Sequence, residues 1–222
     1  MGSSGSDAAA GAQPLGQPVH WTGARRPTAT ELAGTRVLLR RPRLDDAPAL
    51  FDAGRDPAIW TYLPYGPYAT ASEVRERLAE IEECQDPWFY AVCPLPGARP
   101  CGLVSLLSIA PERGSIEIGH IWFGNELQRT TAATEAIFLL ARHAMDDLGY
   151  RRLEWSCNAL NARSRRAAER FGFRFEGIFR NHNVMKGRNR DTAWYSIVDD
   201  EWPVIRGAFV RWLEPDNFDA DG

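Results

Sequence analysis

Lysine is almost missing from this chain. Of the 26 cationic residues in its 222, only Lys186 is a lysine, so nearly all of the positive charge is arginine. The 29 acidic residues outnumber them and the formal net charge is −3. That balance excludes the global positive field that gathers nucleic acid. Around Arg188 and Arg190 a local arginine patch stays open beside the plainer reading of a solvated surface. Cysteine is also sparse. Cys84, Cys93, Cys101 and Cys157 form no CxxC pair, and no histidine stands at zinc-ligand spacing, so no metal site is expected. Three of the four lie in apolar stretches, which fits buried free thiols in a reducing compartment. No run approaches the ~18 apolar residues of a membrane span. No charged start followed by an apolar run marks a leader. A cytoplasmic protein without a membrane partner is expected. G-x-S-x-G and G-x-G-x-x-G are both missing, which argues against a serine hydrolase and a dinucleotide-binding oxidoreductase.

What is present is core material. Hydrophobic residues make up 44%, with 8 Trp and 10 Phe, enough for one domain with a full interior. Residues 1–30, rich in Gly, Ala, Ser, Pro and Thr, are expected to be a flexible tail, and 216–222 a second short one. Between them, residues 31–215 read as a single domain. Arg36–Arg40 reads as a strand stopped by Pro42. Asp45 is the expected cap of a first helix, and Thr70-Ala-Ser-Glu73 has the form of a capping box before a second. A loop over 56–68 separates the two and carries Trp60, Tyr62, Tyr65 and Tyr68. Strands are expected over 88–93, 101–109 and 115–123, antiparallel because their connections are short. A long helix follows over 130–148, ended by Gly149. Then come a strand over 152–157, a short helix capped by Asn161, strands over 173–184 and 191–198, and a last helix opened by Glu201-Trp202-Pro203. The order is β-α-α-β-β-β-α-β-α-β-β-α, an α+β layout around one mixed sheet.

Chemistry concentrates where the 115–123 strand runs into the long helix, through Gln128-Arg-Thr-Thr-Ala-Ala133. The first N–H groups of a helix have no internal partner and the dipole is positive there. A pyrophosphate can be cradled at such a point, and Thr130, Thr131, Ala132 and Ala133 are small enough to let it approach. An ordinary helix start has the same appearance.

The run from Glu117 to Phe173 resembles the GNAT acetyltransferases, in particular the RimJ/RimL-like branch that includes the ribosomal-protein alanine acetyltransferases. The family's pyrophosphate loop reads Q/R-x-x-G-x-G/A, and Gln128–Ala133 falls on it. Thr134-Glu135-Ala136, Asn161-Ala-Arg-Ser164, Ala168-Glu-Arg-Phe-Gly-Phe173, Glu176-Gly177, Arg190-Asp191 and Glu201-Trp202 also fit, so the likeness covers about 35 to 213. One departure is Thr131 in place of the first motif glycine. Threonine takes left-handed backbone angles at a cost, but helical angles would still present the amides.

The resemblance implies a GNAT fold, α+β, with a mixed and mostly antiparallel sheet, helices on both faces and two central strands that splay apart. It implies acetyl-CoA as co-substrate, held by Ile121, Trp122 and Phe123 along the arm, by Gln128, Arg129, Thr130, Thr131, Ala132 and Ala133 at the phosphates, and by Asn161 and Ser164. The acceptor is expected to be a primary amine, either a protein N-terminus or a small molecule. Trp60, Tyr62 and Tyr65 would line its pocket on one side, with Asn183 and Asp191 on the other. Glu117, six residues before Phe123, is the first candidate base. Under regular pleating 117, 119 and 121 share one face, and His120, a second candidate, points to the other unless a bulge intervenes. Many members use a tyrosine in the second helix to protonate the leaving thiolate. Ala168 stands there in this chain, and Ser164 is the nearest hydroxyl. A monomer or homodimer is expected, and a non-catalytic coenzyme A-binding module is the alternative to an enzyme.

Overall fold

The computed structural model describes residues 13–218. Eight strands form one sheet in the order β1-β2-β3-β4-β5-β6-β8-β7. In chain order the elements are β1 (Glu31–Ala33), β2 (Val37–Arg40), α1 (Ala47–Ala53), α2 (Ala71–Glu83), β3 (Trp88–Pro94), β4 (Gly102–Ala110), β5 (Ser115–Phe123), α3 (Thr131–Arg142), β6 (Arg152–Asn158), α4 (Ala162–Arg170), β7 (Arg174–Met185), β8 (Arg188–Val198) and α5 (Trp202–Trp212). Every neighbouring pair is antiparallel except β5 with β6. The sheet is therefore mixed and mostly antiparallel, as expected.

Alternation along the strands divides the interior in two. Ile116 and Ile118 of β5, with Leu153, Trp155 and Cys157 of β6, pack against α3 with the turn that follows it and against α5, through Ile137, Leu140, Ala144, Trp202 and Phe209. The opposite face, including Phe89, Ala91, Cys93, Leu103 and Trp122, packs against α1 and α2 through Leu50, Val74, Leu78 and Ile81. Burial of these side chains on both faces is the main force holding the layers together.

Local chemistry explains most boundaries. Thr70 accepts the Glu73 N–H, and the Glu73 carboxylate accepts the Ala69 N–H, a near-relative of the capping box. Asn161 caps α4 by accepting the Ser164 N–H at 3.1 Å. Four expectations are corrected. A strand precedes the expected first one, because Glu31–Ala33 pairs with β2 around a tight turn. At the first helix the residue before Ala47 is Asp46, not Asp45, and its carboxylate is bound by Arg40 and the Arg43 N–H. The long helix is α-helical only to Arg142, and a π turn over His143–Asp147 finishes it. Finally, β5 carries a bulge. His120 has φ +50°, and the β4 register slips between Leu103/Trp122 and Ser105/Gly119. The extra residue brings His120 and Trp122 onto the face of Glu117 and Gly119, and sends Ile121 to the other.

The segment expected as an N-terminal tail makes contacts from Trp21 onward. The Trp21 indole donates to Gly149 O, Arg25 N–H to Leu148 O, and Trp88 and Tyr90 both donate to Ala29 O. Residues 1–12 and 219–222 of the two expected tails lie outside the described residues.

Candidate functional site

The wedge at the sheet's centre comes first. β5 and β6 pair only through Ser115↔Arg152, Ile116↔Leu153 and Glu117↔Glu154. Beyond Glu117, β5 bonds β4 alone, while β6 continues against β8 as far as Asn158. The two central strands therefore part at Glu117, and the bulge at His120 lies on the stretch that turns away. The far side of β5, from Ile118 to Phe123, is left without a neighbouring strand.

Glu117 sits at the vertex, 5% exposed. Its Oε1 accepts the Ser156 hydroxyl at 2.6 Å and the Ser156 N–H at 3.2 Å, and Oε2 accepts the Ser108 hydroxyl at 3.3 Å. Burial raises its pKa above the ordinary carboxylate value, and the Ser156 bond opposes that only in part. Such a group holds and releases a proton closer to neutrality than a surface glutamate.

His120 lies on the same face, stacked on Tyr65 at 5.6 Å and tilted against Phe89 at 5.1 Å. Burial, aided by the charges of Arg77 and Arg190, pushes it down to about 4. It is neutral at physiological pH and a weak base. Ser164 accepts the Trp155 indole N–H at 3.0 Å and donates its own N–H to Asn161. Its hydroxyl thus ties α4 to β6. Ala168, at the position where the resemblance placed a tyrosine, is fully buried.

At the end of β5 the chain turns through Gly124–Gln128 into α3. The Gln128 amide donates to Phe123 O at 2.9 Å and to Asn125 Oδ1, so it braces the loop. Arg129 is the left-handed residue, with φ +65°. Thr131 opens the helix, and its place in the motif needs no glycine because the unusual angle has moved to Arg129. Thr130 caps α3 by accepting the Ala133 N–H at 3.1 Å. The N–H groups of Thr131 and Ala132 have no hydrogen-bond partner among the described residues. They form the free donor pair that a phosphate oxygen fits. Across the wedge, Asn161 uses its carbonyl as the α4 cap, and its amide nitrogen has no partner among the described residues. The free edge of β5, the open donors of α3 and Asn161 surround the wedge, and they are the groups that could hold a coenzyme A arm and its phosphates.

The aromatic loop divides between core and cover. Trp60 is 2% exposed, donates to Gly54 O, and packs on Tyr65, Tyr68 and Trp122. Tyr62 reaches across to Leu160 O at the start of α4. The loop is pinned from the other side by Lys186, in the turn between β7 and β8. Its ammonium donates to Trp60 O, Tyr65 O and Gly66 O at 2.9, 3.3 and 2.8 Å. Asn183 lies exposed on β7 opposite Arg190, bonded to His182. The Asp191 carboxylate accepts the Asn181 N–H and the Asn189 amide, which hold its pKa below the ordinary value. Sequence reasoning missed Ser108 and Ser156, the donors that hold Glu117. It also missed Arg77 and the Lys186 clamp. Strand register brings the two serines to the site, and the packing of α2 and of the β7–β8 turn brings Arg77 and Lys186; neither is written in any single segment.

Comparison with known proteins agrees with this geometry. A model of the acetyltransferase (GNAT) domain matches residues 36–174. The crystal structure of a GCN5-related N-acetyltransferase from Brucella melitensis is 44% identical, with a TM-score of 0.88 over 91% of this chain and 94% of that one. A probable GNAT-family acetyltransferase from Chromobacterium violaceum is 38% identical, with a TM-score of 0.79 over 86% and 98%. YdaF of Bacillus subtilis, described as a candidate ribosomal N-acetyltransferase, is 30% identical over 102 residues. That match covers 46% of this chain and 55% of YdaF's length. With a family match that runs from β2 through the wedge and the phosphate-type loop to the start of β7, the chain belongs to the GNAT acetyltransferases.

Proposed function

We propose that this N-acetyltransferase moves an acetyl group from acetyl-CoA to a primary amine by direct attack in the wedge, with Glu117 accepting the amine's proton directly or through one water. The observation that carries the reading is the buried, three-fold hydrogen-bonded carboxylate of Glu117 at the vertex where β5 and β6 part. In this reading the Thr131 and Ala132 amides take phosphate oxygens. The β5 edge near Ile121–Phe123 takes the arm, and an N–H there polarises the thioester carbonyl as an oxyanion hole does. The acetyl group is what the co-substrate supplies. The chain's residues position it, exclude water and move the proton.

A base matters because only the neutral amine attacks. A lysine-like amine near pKa 10.4 costs roughly 4–5 kcal/mol to deprotonate at pH 7, and a chain N-terminus near 8 about 1–1.5 kcal/mol. Glu117 is a better base than His120, since its affinity for protons is raised and that of His120 is lowered. By the family resemblance Ser164 is the nearest hydroxyl to the leaving thiolate, and solvent serves equally well as the acid. The acceptor is a small-molecule amine or a protein N-terminus.

Thiol release from acetyl-CoA with a panel of amines tests the reading. Glu117→Gln should lower the rate about a hundredfold, most strongly below pH 7.5, while stabilisation by coenzyme A is kept. An unchanged pH–rate profile would remove Glu117 as the base.

A further inference from the structure

The lining of the acceptor side of the wedge is cationic, and one of its charges is unanswered. Arg190 of β8 makes no hydrogen bond and no ion pair among the described residues, and its Nε is buried without a partner. It lies two residues beyond Thr192, which pairs with Asn158 at the end of β6. It therefore stands past the point where β6 stops covering β8. By alternation it shares the sheet face of Thr192 and Trp194, whose partners across β6 are Asn158 and Ser156, the residue that holds Glu117. Its charge is felt at His120 on the other side of the wedge. From α2 comes Arg77, with its Nε also buried and unpartnered and its plane over the Tyr65 ring at 5.1 Å. The Tyr65 hydroxyl is buried without a partner too.

The neighbouring carboxylates are all engaged elsewhere. Glu80 binds Arg77 through the other end of the guanidinium. Glu117 is held by serines, Glu176 by Arg152 and Ser196, and Asp191 by Asn181 and Asn189. The Nε of Arg190 is kept out of water without a partner, which is costly, while the residue itself is half-buried, and the planar guanidinium fork matches a carboxylate or phosphate.

We propose that Arg190 receives an anionic group of the acceptor, so that the substrate is an amine carrying a carboxylate or phosphate within a few bonds of the attacking nitrogen. This rests on the acetyl-transfer reading above and narrows it. The same positive lining disfavours an ammonium ion, so the amine is held neutral and ready to attack while its anionic substituent is bound. Arg190 is then a specificity residue, acting on KM more than on kcat.

Two measurements on the full chain decide it. In the first, the coenzyme A complex is titrated with succinate and, separately, with inorganic phosphate at constant ionic strength, and thermal stability is read. Saturable stabilisation is expected from at least one anion in the wild type and none in Arg190→Gln. Which anion acts distinguishes the two sources. In the second, L-phenylalanine is compared with L-phenylalaninamide, and phosphoethanolamine with ethanolamine, by thiol release. A tenfold or greater preference in kcat/KM for the charged member of a pair is expected. It should fall to threefold or less in Arg190→Gln, with partial recovery in Arg190→Lys. The proposal is overturned if neither anion stabilises the wild type, if both proteins respond alike, or if Arg190→Gln weakens coenzyme A binding instead. A chain that binds no coenzyme A and releases no thiol with any amine would sink the acetyl-transfer reading itself. Anion stabilisation absent from a correctly folded Arg190→Gln would even then stand on its own.

Discussion

Single residues in this molecule do work that their motif does not announce. Glu135 lies in a triplet that resembles the branch signature, yet its carboxylate is spent on structure. It is 6% exposed and accepts the Thr35 and Arg36 N–H groups at 2.9 and 2.6 Å, tying α3 to the turn between β1 and β2. A Cβ at Gly34 would stand 2.6 Å from the carboxylate carbon, so a larger residue there would push the Glu135 carboxylate off these amides. Glu135→Ala strands two amides next to a cavity, and should cost about 2–4 kcal/mol in chemical denaturation while the coenzyme A response of the folded fraction is kept. A loss within 0.5 kcal/mol would show the amides finding water instead. Glu117 differs: both carboxylates are buried, but Glu117 is held by two hydroxyls and one amide at the vertex of a wedge that opens beyond it.

Among elements, the β6–β8–β7 ribbon is the half of the sheet that the wedge separates from the rest. Its strands are cross-linked on one face by Arg152 of β6, Glu176 of β7 and Ser196 of β8. The Arg152 guanidinium, with help from the Ser196 hydroxyl, holds the Glu176 carboxyl down at about 2. A depressed carboxyl contributes stability that is present above its ordinary pKa and is lost as pH falls toward the folded value. Glu117 has the opposite sign, since its raised pKa favours the folded state below the ordinary carboxylate range and fades as pH rises. Melting temperature should therefore fall between pH 4.5 and 2 in the wild type and fall less steeply in Glu176→Gln. Parallel curves would show the cross-link to be inert. The pair is partly exposed, so solvent screening keeps the effect modest.

For the whole molecule, parts far apart in sequence meet over the wedge. Lys186, from the hairpin tip of β7–β8, grips three carbonyls of the 57–68 loop, and Tyr62 of that loop bonds Leu160. The loop is thus fastened across both walls. Lys186→Met should free it, at a cost of roughly 1–2 kcal/mol. Amide exchange over 57–68 should quicken, and the acceptor KM should rise about tenfold with little change in coenzyme A affinity. Unaltered exchange across the loop would disprove the clamp. That the chain's one lysine occupies this place has a physical reason. A compact ammonium can donate to three converging carbonyls, whereas a planar guanidinium cannot close on a point.

The sequence by itself determined the succession of elements, the layered α+β class, the small-residue turn before α3 and the candidate carboxylate, because periodicity, caps and turn residues are local. It placed Asn161, Thr130 and Glu117 correctly on their elements for the same reason. Tertiary structure alone decided the rest. The bulge at His120 reversed the faces of β5, strand register brought Ser108 and Ser156 to Glu117, and a π turn replaced the end of a regular helix. A lysine marked in the sequence only by its rarity became a clamp, and an arginine that looked like solvated surface has its Nε buried without a partner among the described residues. Apart from the π turn, each is a meeting of residues from different elements, fixed by packing and pairing that no local pattern encodes.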